Sequence, residues 1–313
     1  MTGYIVRRIL ASIPVILVIA IMTFSITFIA PGDAAYAIAG EEATAEDIEY
    51  ITELMGLDRP FLVQFGSWFG RVFKGDFGRS LFTGHNVTEL LANRVEPTVS
   101  LTIMGLVLSI LIGVPLGAVA GWKAHTWIDR MIMFFSVLGF SVPAFSLGFI
   151  LILVFAVGLG WFPAIGYVSF FESVPGFFKS MTLPALSIAV GGAAIIARMT
   201  RSSMLEVLNE DYIRTARAKG LREKLILRRH ALRAASLPVA TVVGLLLAGL
   251  LTGVVVTETV FTIPGLGRLA ALAVFRRDIP VLQAVVLVLG AVTVFANLVT
   301  DIVYAYLDPR VRF

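Results

Sequence analysis

The chain has 313 residues, of which 58% are apolar and 15% charged, and its mean hydropathy is +0.91. That balance excludes an ordinary soluble domain and points to a bundle of membrane-crossing helices. There is no cysteine, so disulfide frameworks, thiolate metal sites and cysteine nucleophiles are excluded too.

A helix needs about 20 apolar residues to cross a hydrocarbon layer about 30 Å thick. Windows of that kind fall at residues 9–30, 99–121, 131–157, 237–256 and 281–304. A sixth, at 183–197, is short and reaches span length only if its helix begins near Phe177 or Met181 and runs on past the membrane. The fold expected is an all-α integral membrane protein with six spans. Three parts are expected: an N-terminal anchor helix at 1–30, an outer loop at 31–96, and a five-helix core at 97–313. Although Ala35, Tyr36 and Ala37 fit a signal cleavage site, the first apolar run is too long for a signal peptide. It reads as a retained anchor.

In the long loop, Thr44 and Asp47 suggest a helix start and Gly56 a stop. Pro60 opens an aromatic amphipathic stretch (Phe61, Leu62, Phe65, Trp68, Phe69, Val72, Phe73) suited to lying on the membrane or the bundle. In the second span Gly105, Ser109, Gly113, Gly117 and Gly121 recur every fourth residue, and Gly249 and Gly253 do so in the fifth. Small residues in this pattern let helices approach closely, within one chain or between two. In the third span Pro143 removes a backbone donor beside Gly139 and Ser141, which predicts a bend.

Lysine and arginine mark the inner side of a membrane protein. The segment 198–237 holds ten of them against four acidic residues, whereas the loop 31–96 holds five against eleven. Both termini and the 198–237 loop are therefore expected in the cytoplasm, despite Arg268, Arg276 and Arg277 on the other side. The pI of 9.5 then reflects topology, not nucleic-acid binding.

Within the basic loop, residues 211–221 read as a short helix. Asn209, Glu210 and Asp211 stand at its start, Arg217 and Lys219 in its last turn, and Gly220 at its stop. About ten residues make no stable helix alone in water, so it should dock onto something. Few ionisable residues lie at membrane depth, where such groups are functional candidates. Glu258 precedes the outer run FTIPGLG at 261–267, and Asp301 follows Asn297 by four residues. His85, His125 and His230 are scattered and show no metal spacing, and there is neither a phosphate-binding loop nor a nucleophile elbow. No catalytic or metal-binding residue is assigned.

The pattern Tyr212, Thr215, Ala216, Ala218, Lys219, Gly220, followed by a basic helix ending at Leu237 and Pro238, resembles a known signature. It is similar to the loop of permease subunits of binding-protein-dependent ABC importers, in the branch that carries peptides and nickel chelates. The run GDFGRS at 75–80, the run at 261–267 and both chain ends share that resemblance. The broader importer motif begins Glu-Ala-Ala and reaches its proline thirteen residues after the glycine. Here Arg214, Thr215 and Ala216 stand first and Pro238 is eighteen residues from Gly220, as in the peptide branch.

The resemblance implies a non-enzymatic subunit in the bacterial inner membrane. ATP and Mg²⁺ would be bound by two cytoplasmic ATPase subunits. A second homologous permease, membrane lipid and a periplasmic or lipid-anchored solute-binding protein would complete the machine. It also implies a coupling helix made of Asp211, Tyr212, Thr215, Ala216, Ala218, Lys219, Gly220 and Leu221. Ala216, Ala218 and Gly220 would let that helix seat deeply in the ATPase, with Tyr212 and Leu221 as anchors. Phe140, Ser141, Pro143, Glu258, Phe261, Asn297 and Asp301 are the candidates for the solute path or its gate. Peptides are the expected cargo, with nickel chelates or other small solutes as the alternative. The rival class, a self-contained secondary transporter or channel, would need midplane coupling residues and internal repeats. Neither is found in the sequence.

Overall fold

A computed structural model describes residues 2–29, 44 and 58–307. The expected helix beyond Thr44 (45–56), the cleavage-like site at 35–37 and the terminal run at 308–313 lie outside those residues. The helices, in order, are α1 (Thr2–Ile29), α2 (Phe61–Phe73), α3 (Val87–Trp122), α4 (Trp127–Ser141) and α5 (Ala144–Leu151). They are followed by α6 (Val174–Leu208), α7 (Asp211–Ala218), α8 (Leu232–Val260), α9 (Leu266–Arg276) and α10 (Ile279–Leu307). Among the described residues, only an isolated bridge between Arg79 and Asn86 has strand-like pairing.

Helices α1, α3, α6, α8 and α10 are each long and apolar enough to cross a membrane. The third span is broken. α4 ends at Ser141, Pro143 starts α5, and the two arms meet at 99°. A proline cannot donate to the preceding turn and restricts the residue before it, so α4 stops where the sequence predicted a bend. α5 then unwinds into π-helical turns over Ile152–Gly158.

The shortest window in the sequence belongs to the most buried span. α6 begins at Val174, capped by Ser173, whose hydroxyl accepts the Gly176 N–H. It runs 35 residues to Leu208 through the centre of the bundle. Its apolar window looks short because Lys179, Ser180 and Thr182 bound it on one side and Arg198, Thr200 and Arg201 on the other. The glycine stripe of α3 faces it. A Cβ at Gly113 would stand 2.7 Å from the Ala193 carbonyl oxygen, and one at Gly121 would stand 2.7 Å from the Met204 Cβ. Ser109 donates to Gly105 O at 2.7 Å and reaches Ala189 O at 3.2 Å. This stripe therefore serves helix contact within one chain. Lipid supplies no hydrophobic drive between helices, so close backbone approach has to provide the contact. Among the described residues, a would-be Cβ on Gly249 or Gly253 of α8, by contrast, meets no other helix within 4 Å.

α2 lies against α1 through rings. Phe24 meets Phe61, Phe65 and Trp68 at centroid distances of 5.4 to 5.7 Å. Edge-to-face and tilted pairs of this kind add to simple burial. The amphipathic stretch is thus fixed on the first span by one face, while Leu62 and Phe73 on its other side stay exposed. The start of α1 and the end of α10 meet where Arg8 Nη1 and Asp301 Oδ2 pair at 3.1 Å.

Candidate functional site: a coupling helix and an outer latch

Two constellations stand out, one at each end of the bundle. The first is α7, which sits between α6 and the basic segment leading into α8. Its start carries no side-chain cap hydrogen bond; Asp211 in the first turn instead pairs with Arg214 at 3.3 Å. Its end is closed by backbone. The Leu221 N–H donates to Ala216 O at 3.3 Å, and the Gly220 N–H donates to Arg217 O at 2.9 Å. That is the Schellman arrangement, and Gly220 supplies the left-handed residue it needs, with φ +75°. Beyond it, Arg217 pairs with Glu223 at 2.7 Å, and the chain re-enters helix over Glu223–Leu225. π-helical turns over Ile226–Ala231 lead on into α8.

α7 divides into two faces, and one expectation is corrected here. Ile213 is fully buried and Ala216 nearly so, packed with Ile226 and against Val207 and Leu208 of this same chain. Ala216 therefore does not seat in a partner; it is small because the bundle's own inner end lies above it. Ile213 is the apolar anchor that motif reading missed, since the family pattern leaves its position open. An apolar residue three before Ala216 on a short helix was the signal that could have found it. Tyr212, Thr215, Ala218, Lys219, Gly220 and Leu221 face outward. Partial burial, with a smaller contribution from the Glu210 charge, holds the Tyr212 hydroxyl above the usual phenol range.

The second constellation is at the opposite end. Glu258, fully buried near the end of α8, caps the start of α9. Its Oε1 accepts from Thr98 Oγ1 of α3 at 2.6 Å, and its Oε2 accepts from the Arg268 N–H at 2.9 Å. The Thr98 hydroxyl in turn accepts the Leu266 N–H at 2.8 Å. A carboxylate at a helix start satisfies orphan donors and suits the helix dipole. Gly265 and Gly267 are glycines because a Cβ on either would run into the Glu258 carboxyl or the α8 backbone. The other end of α9 is held as well. Asp278 accepts from the Ser80 hydroxyl and from the Leu81 N–H, and the Arg276 guanidinium lies 4.1 Å over the Phe82 ring. This gives the GDFGRS run at 75–80 its purpose. Gly75 and Gly78 turn the chain at φ +79° and +81°, which brings Ser80 onto Asp278.

The path candidates are not brought together. Glu258 and Phe261 are buried in the wall of the bundle, and neither faces open space in this conformation. The Phe261 ring lies where a Cβ on Gly148 of α5 would come within 3.0 Å, and its carbonyl accepts the Gly166 N–H. Phe140 and Ser141 are exposed beside the Pro143 bend, with the Arg198 guanidinium 5.1 Å over the Phe140 ring. Asp301 is taken by Arg8, while Asn297 one turn away is exposed. The two therefore do not form a paired polar site within the bundle.

An all-helical bundle of five long apolar helices and one further, broken span is the architecture of a multi-spanning membrane subunit. The chain belongs to the family of binding-protein-dependent transport system inner membrane components. That family's model matches residues 113–313, and the model of its N-terminal domain matches residues 1–102. The chain is 44% identical over 310 residues to a protein of Sinorhizobium fredii named a probable peptide ABC transporter permease, covering 99% of each. It is 41% identical over its full length to the glutathione transport system permease protein GsiC of Salmonella typhimurium, covering all of that protein. In solved structures, the fold is similar to a chain of the inward-facing MetNI methionine ABC transporter. That match has a TM-score of 0.59 and 20% identity, covering 70% of this chain and 96% of that one.

Proposed function

We propose that this chain is one of two permease subunits in an ATP-driven importer that takes peptides from a periplasmic or lipid-anchored binding protein. Two cytoplasmic ATPase subunits, which hold ATP and Mg²⁺, would drive it through α7. The observation that carries this reading is the two-faced geometry of α7. An eight-residue helix is too short to persist alone, yet here a buried inner face and a glycine-closed end hold it rigid, and a separate face points outward. Rigid presentation of Tyr212, Thr215, Lys219 and Leu221 is what a partner's groove requires. The names of relatives above 40% identity support peptides as the cargo class. The Arg8–Asp301 pair supports both termini lying on one side, and thus an even number of crossings with the broken span counted as one. The charge of the basic loop supports the cytoplasm as that side.

Cysteine cross-linking tests the reading on this cysteine-free chain. Tyr212→Cys and Lys219→Cys are expected to cross-link to the ATPase subunit in the assembled complex. Ile213→Cys, on the inner face, is expected not to. Cross-linking only at Ile213 would reverse the assignment of faces.

A further inference from the structure

Above α7, one packed path climbs the inner end of α6. Ile213 and Ala216 touch Val207 and Leu208. Those two also border the cluster of Met204 with Leu227, Ala231 and Ala235. Three residues further back, on the next turn, Arg201 forks onto Asp129 of α4, Nε to Oδ1 and Nη2 to Oδ2, the latter at 2.8 Å. Asp129 also accepts the His125 N–H at 3.0 Å, and His125 sits at φ +64° in the turn that joins α3 to α4.

This ion pair differs from the three others among the described residues. Its side chains are 25% and 4% exposed, whereas every member of the others is at least a third exposed. A fork of two parallel bonds fixes orientation as well as distance. Burying two charges is a poor way to gain stability, because apolar residues of similar volume often do as well. What a fork adds is a fixed geometry between α4 and α6. The far end of α4 is the 99° bend, and α5 beyond it abuts Phe261 at the outer loop through Gly148.

We propose that the Arg201–Asp129 fork is the tie that makes α4 follow the coupling helix, so that displacement of α7 by the ATPase subunits reaches the bend in the third span. This rests on the reading of α7 given above. Arg201 and Asp129 are positioning residues, which act through the helices they join. The pair links an element that a partner would move to a span broken into two arms, a contiguous contact of the kind that carries displacement between distant sites.

The test uses the complete complex, with both permeases, the ATPase subunits and the binding protein, in lipid nanodiscs. Spin labels at Trp127→Cys and Arg222→Cys report the distance between α4 and the coupling loop. In the otherwise unmodified chain that distance is expected to keep a single narrow distribution on ATP trapping. With Asp129→Asn added it should broaden or shift. In the cysteine-free chain, Asp129→Asn should still capture the ATPase subunits. Its ratio of binding-protein-stimulated to unstimulated hydrolysis should fall about tenfold, a typical size for coupling between sites. The tie is refuted if the distance changes on ATP trapping in the unmodified chain, or if Asp129→Asn keeps its stimulation ratio. It is refuted equally if Asp129→Asn loses capture, because the pair would then be only a staple of the fold. Failure of the unmodified chain to capture any ATPase would instead overturn the importer reading, and the tie with it.

Discussion

Gly220 allows strain to be separated from bulk. A Cβ at this position meets nothing within 4 Å, so any effect of substitution comes from its φ of +75° and not from collision. For an L-residue the left-handed region costs roughly 1–2 kcal/mol, with asparagine the best tolerated and β-branched residues the worst. About 1 kcal/mol for Gly220→Ala and about 2 for Gly220→Val are of the same order as the net 0.5–1.5 kcal/mol each of the two closing hydrogen bonds. The closed turn would thus be depleted by at most about 5-fold in the alanine variant and about 30-fold in the valine variant, and apparent affinity for the ATPase subunits would fall in step. Gly220→Asn should lie close to the native chain. The spans should be unaffected, because the fault lies outside them. Titrating purified ATPase subunit against the permease in nanodiscs, with thermal unfolding measured in parallel, checks the series. Equal affinities for the asparagine and valine variants would refute the argument from φ, and a common drop in thermal stability would refute its confinement to the loop.

Ala216→Trp should lower expression and thermal stability, since its side chain would have to enter the contact with Val207, Leu208 and Ile226; Tyr212→Ala should leave stability alone and weaken ATPase capture, as parallel melting and pull-down assays would show. Glu258→Ala leaves the Arg268 N–H without its acceptor, while the Thr98 hydroxyl keeps Arg94 O at 3.3 Å and the Leu266 N–H. At about 1–3 kcal/mol for one buried unpaired group, it should lower stability by about that much, while Glu258→Gln, which keeps one acceptor for the Arg268 N–H, should lose less; thermal melting ranks them. Gly117→Leu should prevent the close approach of α3 and α6 and abolish accumulation in the membrane, read by blot against Gly249→Leu, whose Cβ meets no other helix within 4 Å. Impermeant thiol reagents in sealed cells should label Glu172→Cys and spare Arg222→Cys, and the reverse pattern would invert the topology.

Much of this molecule can be read from its residues. Six apolar windows, Pro143 and the left-handed stop at Gly220 all depend on local chemistry, and each lies where sequence placed it. What stayed hidden are contacts that need the third dimension. Nothing in the spacing of Ala216 says which side of α7 it faces, and the family pattern favoured the wrong one. Glu258 was legible as a charge at membrane depth, but its tie to α3 was not, because Thr98 lies 160 residues away. Asp129, Arg201, Ser80 and Asp278 are ordinary loop-edge residues in the sequence. Only packing turns them into a tie and a latch. The α3 glycines showed that a close contact exists, and only the structure assigns it to α6.

The central claim is that this chain forms a solute path that other subunits must power. Uptake of labelled peptides into proteoliposomes tests it most directly. The account predicts uptake only when the second permease, the ATPase subunits, the binding protein and ATP are all present, and none by this chain alone under a proton or sodium gradient. Robust gradient-driven uptake by the chain alone would contradict it and identify a secondary transporter.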